Sequence, residues 1–388
     1  MEHLMHTLTR NGTWIRTAAL FILLACSYSC EPSRIAAPPA DRVLWRVKGD
    51  GAPVVPSFDS TTAFFADFHH GLIAIDQRKG SVKWRASTGV GTDGPVAGFN
   101  SVVAGDVVVV GDVDLFAYDR ASGALTWSFR ASDDDETGDH FLATDGSVIY
   151  ASSLYGRVYA IDSRSGIPLW VTQLPGPPGV RTATFDPVVG HGQVFVGLWY
   201  DTNPMTGGLA ALDARTGHLL WTHGFTPWRP DLDTTCTSHA VIVGGLVITA
   251  TGDGQIYGLD TATGDVRWVA PKIPNYDTGD DRALALSNDV VLASSNSGFA
   301  TGIDVSTGAV LWSSQLSGAS LAYFVSADSQ VAVFEDGSSE AVEVNPQNGE
   351  VNWRTGVGIE GGDFWGYALV TPDRVLANGL DGFYALKR

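Results

Sequence analysis

From residue 41 onward the apolar positions fall in short runs rich in valine, isoleucine and aromatic side chains, each bounded by glycine or aspartate. Residues 106–110 (Asp-Val-Val-Val-Val) and 114–118 (Asp-Leu-Phe-Ala-Tyr) form such a pair. Runs this short and this β-branched predict strands, not helices. Each pair leads into a fixed signal: an aspartate, a glycine four residues later and a tryptophan eight residues later. The offsets occur at Asp76, Gly80 and Trp84, at Asp119, Gly123 and Trp127, at Asp162, Gly166 and Trp170, and at Asp213, Gly217 and Trp221. They continue at Asp260, Gly264 and Trp268 and at Asp304, Gly308 and Trp312, then with asparagine at Asn345, Gly349 and Trp353. With only 12 tryptophans in 388 residues, seven such matches are a repeat.

Each offset has a physical cause. The aspartate accepts backbone N–H groups and starts a turn, and the glycine adopts the positive φ that other residues resist. The tryptophan opens the outgoing strand, where its ring can bury against the neighbouring repeat. Three strands before the turn and one after it make a four-stranded antiparallel sheet, the blade of a propeller. Trp45 precedes Trp84 at a blade's spacing but has no aspartate turn before it. After Trp353 the chain offers three strand-like segments, 364–370, 374–378 and 383–386, and no fourth. The strand at 43–47 supplies it. The expectation is an all-β, eight-bladed propeller over residues 41–388, its N- and C-terminal strands sharing one blade, which leaves no open sheet edge to invite aggregation.

The first 25 residues differ. Arg10 and Arg16 precede a short apolar run from Thr17 to Ala25 that ends at Cys26. Nine residues cannot cross a bilayer, so residues 1–25 read as a signal peptide. Leu23-Leu24-Ala25-Cys26 resembles the lipobox of bacterial lipoproteins, with Leu24 where that pattern has a small residue. The resemblance implies lipid attachment at Cys26; ordinary cleavage and release as a soluble periplasmic or secreted protein is the alternative. Residues 26–40, with Pro32, Pro38 and Pro39, read as a flexible tether.

Composition narrows the class. A net charge of −18 excludes nucleic-acid binding, which draws on clustered Lys and Arg, and disfavours an anionic lipid surface. Any membrane association is therefore through a lipid anchor only. Of three cysteines, Cys26, Cys30 and Cys236, no two are adjacent, and one disulfide at most cannot be the framework of so long a chain.

Candidate chemistry is sparse. The acidic run Asp133-Asp134-Asp135-Glu136, with Asp139 and His140, lacks the ligand spacing and central glycine of a calcium loop and reads as a solvated link, as does the stretch from Asp277 to Asp281. His69-His70 has no nearby ligands in sequence, no Gly-x-Ser-x-Gly elbow occurs, and Cys236 reads as a structural thiol. No catalytic, cofactor-binding or metal-binding residue is expected. The informative departures from the repeat cluster instead: an insertion, Trp199-Tyr200-Asp201-Thr202-Asn203-Pro204, a link reading Trp228-Arg229-Pro230-Asp231-Leu232-Asp233, and Arg181 in the preceding link. In a propeller, loops between a blade's second and third strands share a face with the links between blades. These segments are thus expected to be neighbours, and their aromatic and arginine content suits a protein-binding hot spot or a plug at the channel mouth.

The Ala-Ile-Asp…Gly…Trp pattern at 74–84 and its repeats resemble the tryptophan-docking repeat of the pyrroloquinoline-quinone propeller superfamily, from residue 41 to the end. Two branches are relevant. Quinone-dependent dehydrogenases carry an adjacent cysteine pair, carboxylates for calcium, an aspartate base and long insertions; in this sequence no two cysteines are adjacent, and the repeat spacing leaves almost no room beyond four strands per blade. BamB-type lipoproteins of outer-membrane β-barrel assembly are a bare eight-bladed ring behind a lipoprotein signal. In that family two successive links grip the barrel-inserting subunit, one through leucine and arginine and the next through two aspartates one residue apart. Val180-Arg181 and Asp231-Leu232-Asp233 look similar, with valine replacing the leucine. The resemblance implies a non-catalytic protein-binding scaffold, monomeric by itself, on the periplasmic face of the outer membrane. Its expected contact residues are Val180, Arg181, Trp199, Tyr200, Trp228, Arg229, Asp231 and Asp233. An extracytoplasmic propeller binding a small ligand or ion, and a quinone enzyme, are the alternatives.

Overall fold

The turn that sequence assigns to each repeat forms because one side chain satisfies it. Asp162 Oδ1 accepts the backbone N–H of Ser165 at 2.8 Å and its hydroxyl at 2.7 Å, and Gly166 N donates to Asp162 O at 2.9 Å. Gly166 holds φ 70°, and a Cβ there would fall 2.6 Å from the ring of Trp127 in the preceding blade. The glycine is required twice over, by backbone conformation and by close approach.

The computed structural model describes residues 42–49, 55–67, 71–86, 100–111, 114–131, 142–227, 234–235, 239–271, 284–295, 298–316, 321–336, 340–356, 368–379 and 382–388. They build eight four-stranded antiparallel sheets, seven of them with strands in simple sequence order. Numbered by their tryptophans, blade two runs from Ser57–Phe58 to Val82–Ala86 and blade three from Ser101–Ala104 to Leu125–Phe129. Blade four consists of Leu142–Thr144, Val148–Ser152, Arg157–Asp162 and Pro168–Gln173, and blade five of Thr182–Gly190, Gln193–Tyr200, Thr206–Asp213 and Leu219–Gly224. Blade six runs from Val241–Val243 to Val266–Val269 and blade seven from Leu284–Ser287 to Val310–Gln315. Blade eight consists of Leu321–Ala327, Ala332–Asp336, Glu340–Val344 and Val351–Gly356.

Blade one is the shared one. Ala368–Val370, Arg374–Gly379 and Gly382–Lys387 are completed by Val43–Lys48. Val43 pairs with Leu386, Trp45 with Ala385 and Lys48 with Gly382, and Lys387 N donates to Arg42 O at 2.8 Å.

The core lies between blades. One buried cluster joins Val107, Val109, Leu115 and Ala117 of blade three to Ile149, Ala151, Tyr159 and Ile161 of blade four; another joins Trp45, Phe383 and Ala385 of blade one to Phe65, Ile73 and Ile75 of blade two. Seven tryptophans donate their indole N–H to a carbonyl of the next blade's turn. Trp45 reaches Gln77 O, Trp84 Arg120 O, Trp127 Ser163 O, Trp170 Ala214 O, Trp221 Thr261 O, Trp268 Val305 O and Trp312 Pro346 O, at 2.7–3.0 Å. Trp45, Trp84, Trp127, Trp268 and Trp353 are buried, whereas Trp170, Trp221 and Trp312 are half-buried.

The docking needs room within the blade as well. The residue directly opposite the tryptophan on the third strand is Ala74, Ala117, Ala160, Ala211, Gly258, Gly302 or Ala385. In blade eight it is Glu343, opposite Trp353.

Candidate functional site: an aromatic and arginine cluster on the link face

Where the chain leaves blade four, Leu174 N donates to Gly156 O at 2.8 Å, and Val180 N closes a turn on Pro177 O at 3.1 Å. The next residues enter the first strand of blade five. Thr184 ties that strand to the 153–157 loop of blade four: its hydroxyl donates to Ser153 O at 2.8 Å and accepts the N–H of Ser153 at 2.9 Å. Tyr155, at the tip of that loop, is thereby held beside Arg181. The guanidinium carbon of Arg181 lies 5.2 Å from the Tyr155 ring centroid and 6.0 Å from that of Trp199. Both distances suit cation–π attraction, worth about 0.5–1 kcal/mol each at an exposed site. Arg181 itself is exposed, so its charge stays available to a partner.

Trp199 and Tyr200, expected in an insertion, are strand residues. The second and third strands of blade five are lengthened so that Trp199 pairs with Gly207 and Tyr200 with Thr206. Alternating apolar side chains extend the pleat for as long as the ladder can pair them. The turn beyond is fixed at both sides: Asp201 N donates to Arg181 O at 3.0 Å, and Thr234 N, in the next link, donates to Met205 O at 3.0 Å. Trp199 Nε1 donates to Met205 Sδ at 3.1 Å. Burial pushes the Tyr200 phenol above its ordinary pKa. The second-to-third-strand loop and the two flanking links therefore share a face, as expected from topology.

Of the expected contact residues, the structure brings together Arg181, Trp199 and Tyr200, with Val180 half-buried next to Arg181. Trp228, Arg229, Asp231 and Asp233 lie outside the described residues, as does Cys26. Sequence reading missed Tyr155. Its signal was present: it occupies the second-to-third-strand loop of blade four, the same kind of loop that drew attention in blade five. Next to it, Gln173 Nε2 donates to Tyr155 O at 3.0 Å, at the end of an outer strand segment that exposes Ile167, Leu169 and Val171. Leu169 and Val171 lie in the strand Pro168–Gln173 and Ile167 just before it. Exposed apolar side chains thus lie along the outer strand of blade four, which ends beside the site at Gln173.

A different concavity, of about 400 Å³, lies between blades three and four on the turn side, lined by Asp106, Asp119, Ser147, Asp162, Ser163 and Arg164 among others. Asp119 and Asp162 there are committed to their turns through Ser122 and Ser165. Among the described residues no three His, Cys, Asp or Glu side chains converge to hold a metal ion. A quinone with its calcium would need such carboxylates and, over the ring, an adjacent cysteine pair; the three cysteines are all separated. The described residues do not fit that group.

Fold and repeat together define a tryptophan-docking propeller of the pyrroloquinoline-quinone type. Within that class, residues 33–198 and 205–379 match the family described as outer membrane protein assembly factor BamB, and the chain belongs to this family. Among curated relatives it is 25% identical over 183 residues to the outer membrane protein assembly factor BamB of Nitrosomonas eutropha, a match covering 46% of this chain and 41% of that protein. It is 28% identical over 164 residues to the 1-butanol dehydrogenase (quinone) of Thauera butanivorans, covering 39% of this chain and 26% of that enzyme. The matches thus span less than half of either relative. Among solved structures, BamB from Moraxella catarrhalis superposes with a TM-score of 0.68 at 18% identity, covering 89% of this chain and 98% of that one. The quinohemoprotein alcohol dehydrogenase of Comamonas testosteroni superposes with 0.67 at 14%, covering 89% and 76%. At such identities the likeness is one of fold.

Proposed function

We propose that the chain is a non-catalytic protein-binding scaffold of the bacterial envelope, an accessory of outer-membrane β-barrel protein assembly whose link face over blades four to six holds the barrel-inserting subunit. The observation that carries this reading is the seating of Arg181 between Tyr155 and Trp199, an exposed cation braced by two aromatic rings. Such a group keeps its charge accessible while losing little side-chain freedom on binding, and arginine with aromatic neighbours is the composition that interface hot spots favour. The exposed Ile167, Leu169 and Val171 add apolar surface on the same blade. In the same reading Asp231 and Asp233 complete the charged patch, and Cys26 anchors the protein to the outer membrane by lipid.

The test is charge reversal at Arg181, Asp231 and Asp233 together, then affinity purification from native membranes. Losing a buried charged contact costs about 2–5 kcal/mol, so affinity is expected to fall at least about tenfold while the fold persists. A matching reversal at Asp133, Asp134 and Asp135 is expected to be silent. Retention of the partner by the first variant and its loss by the second would place the interface elsewhere.

The similarity to the quinone-dependent 1-butanol dehydrogenase motivates a second reading, an alcohol-oxidising quinoprotein. Dye reduction by the purified chain supplied with the quinone, calcium and butanol would establish it.

A further inference from the structure

Trp353 is the tryptophan whose docking partner is cut. In every other interface the ring meets a turn joining the next blade's third and fourth strands. In blade one those strands are Gly382–Lys387 and Val43–Lys48, the two ends of the repeat, with no turn between them. The position of a turn's aspartate is taken by Lys387, and Arg42 stands where Ser81 stands in blade two: Lys387 N donates to Arg42 O as Asp76 N does to Ser81 O. Among the described residues neither a turn carbonyl nor a turn glycine is offered to Trp353. The Arg42 guanidinium carbon lies 4.9 Å from its ring centroid instead.

The indole N–H consequently has no hydrogen-bond partner among the described residues, although it is buried. Directly across the strand pair stands Glu343, only 3% exposed, where every other blade has alanine or glycine. Its Oε1 accepts from Asn352 at 3.1 Å, and its Oε2 is buried and unpartnered among the same residues. Opposed residues of an antiparallel pair share one face, so carboxyl and indole both face blade one. An unsatisfied donor and an unsatisfied acceptor thus sit side by side at the single interface that lacks a turn.

We propose that Glu343 is a proton-operated latch on the closing seam of the ring. In its neutral form it fills the space beneath Trp353 without burying a charge. Ionised, it places a carboxylate in the seam, and opening blade one to water relieves the cost. The groups facing it are Trp353 and Asn352 on its own blade and, across the seam, Arg42 and Arg388. Arg388 is itself engaged by Asp328 at 2.7 Å and by the carbonyls of Thr371 and Pro372 at 2.9 and 2.8 Å. The neighbouring Arg374 is turned to blade two, bonded to Gln77 O and to Asp373. Burial raises the Glu343 pKa; Asn352, the Trp353 N–H and the charges of Arg388 and Arg42 offset this only in part, leaving it above the ordinary value. The Trp353 N–H faces the carboxyl without completing a hydrogen bond among the described residues, and burial remains the largest influence on it. A carboxyl whose pKa is raised by folding contributes stability that is complete below its unfolded value and is lost as pH rises through its folded value.

The experiment compares the full chain with Glu343→Gln and Glu343→Ala, recording thermal midpoints and amide exchange, corrected for intrinsic rate, from about pH 5 to about pH 8. The parent is expected to lose stability as pH rises over that range, and exchange in residues 43–48 and 382–387 is expected to accelerate relative to residues 193–200. Glu343→Gln is expected to match the parent at the acid end, exceed it at the alkaline end and show no seam acceleration. A glutamine variant with the parent's pH slope, or a deficit of the same size at every pH, would overturn the latch. The alanine variant, which restores the residue found in other blades, separates loss of charge from loss of volume: it too is expected to flatten the slope, and a slope retained in alanine overturns the latch equally.

Discussion

Trp127 and Gly166 belong to different blades, yet a single methyl group at Gly166 would fall 2.6 Å from the Trp127 ring. The ring deposits its area on a spot that only hydrogen can cover, and its N–H closes the contact on Ser163 O at 2.8 Å. Seven of the eight interfaces repeat this pairing of a donor ring with a bare glycine backbone; the one behind Trp353 does not.

Trp127→Ala is expected to cost about 3–5 kcal/mol in urea denaturation, the range for deleting a large buried aromatic. Gly166→Ala is expected to cost about 1–3 kcal/mol through its positive φ and the clash together. In the Trp127→Ala background the clash has gone and the strain remains, so the double mutant is expected to be less damaged than the sum. Strict additivity would mean that the two residues do not share one contact.

Deleting the chain up to residue 48 removes the fourth strand of blade one and exposes the edge at Gly382–Lys387. Aggregation in light scattering, or a broadened and non-coincident unfolding transition, is the expected result. A truncated chain that stayed soluble and unfolded as sharply as the parent would show that blade one does not need the strand.

Low pH acts on the turns. The Asp162 carboxyl is held below the ordinary carboxylate range by the Ser165 hydroxyl and then its backbone N–H, and Asp119, Asp213 and Asp304 are held down by the hydroxyls of Ser122, Thr216 and Ser306. The Lys79 N–H does the same for Asp76, and Arg267 for Asp260. A carboxylate depressed by folding gives stability that is present above its unfolded pKa and is lost as pH falls through the folded one. Thermal midpoints are expected to drop below about pH 4. Replacing these aspartates by asparagine should flatten that drop, because Asn345 already turns the last repeat with an uncharged oxygen, accepting from Gln347 N at 2.8 Å.

Membrane attachment is checked at Cys26. Metabolic labelling with a fatty acid is expected to mark the parent and not Cys26→Ala, which should appear in the soluble fraction. Label retained in the variant would exclude this residue as the anchor.

The ring was readable from sequence because its determinants are local and repeated: aspartate, glycine and tryptophan at fixed offsets specify turn, close approach and docking in one stretch of chain. Blade closure was readable from a deficit, three strands at one end and one at the other. The site was harder. Arg181 and Trp199 stood out as departures from the repeat, but Tyr155 comes beside them only through Thr184, whose hydroxyl joins two blades in a way that spacing does not encode. Glu343 holds a position that is alanine or glycine in the other blades, an exception the sequence reading did not single out. Its meaning depends on the missing turn facing it, which is a fact of three-dimensional closure.

Blade one also bears on the order of events during folding. The N–H of Lys387 can reach the carbonyl of Arg42 only after the intervening residues have been made, a separation of 345 positions. The earliest strand of the ring must wait as an unpaired ribbon while seven sheets assemble behind it, and pairing so remote in sequence is slow. Until the circle shuts, residues 43–48 are a strand without its partner, open to pairing with another chain.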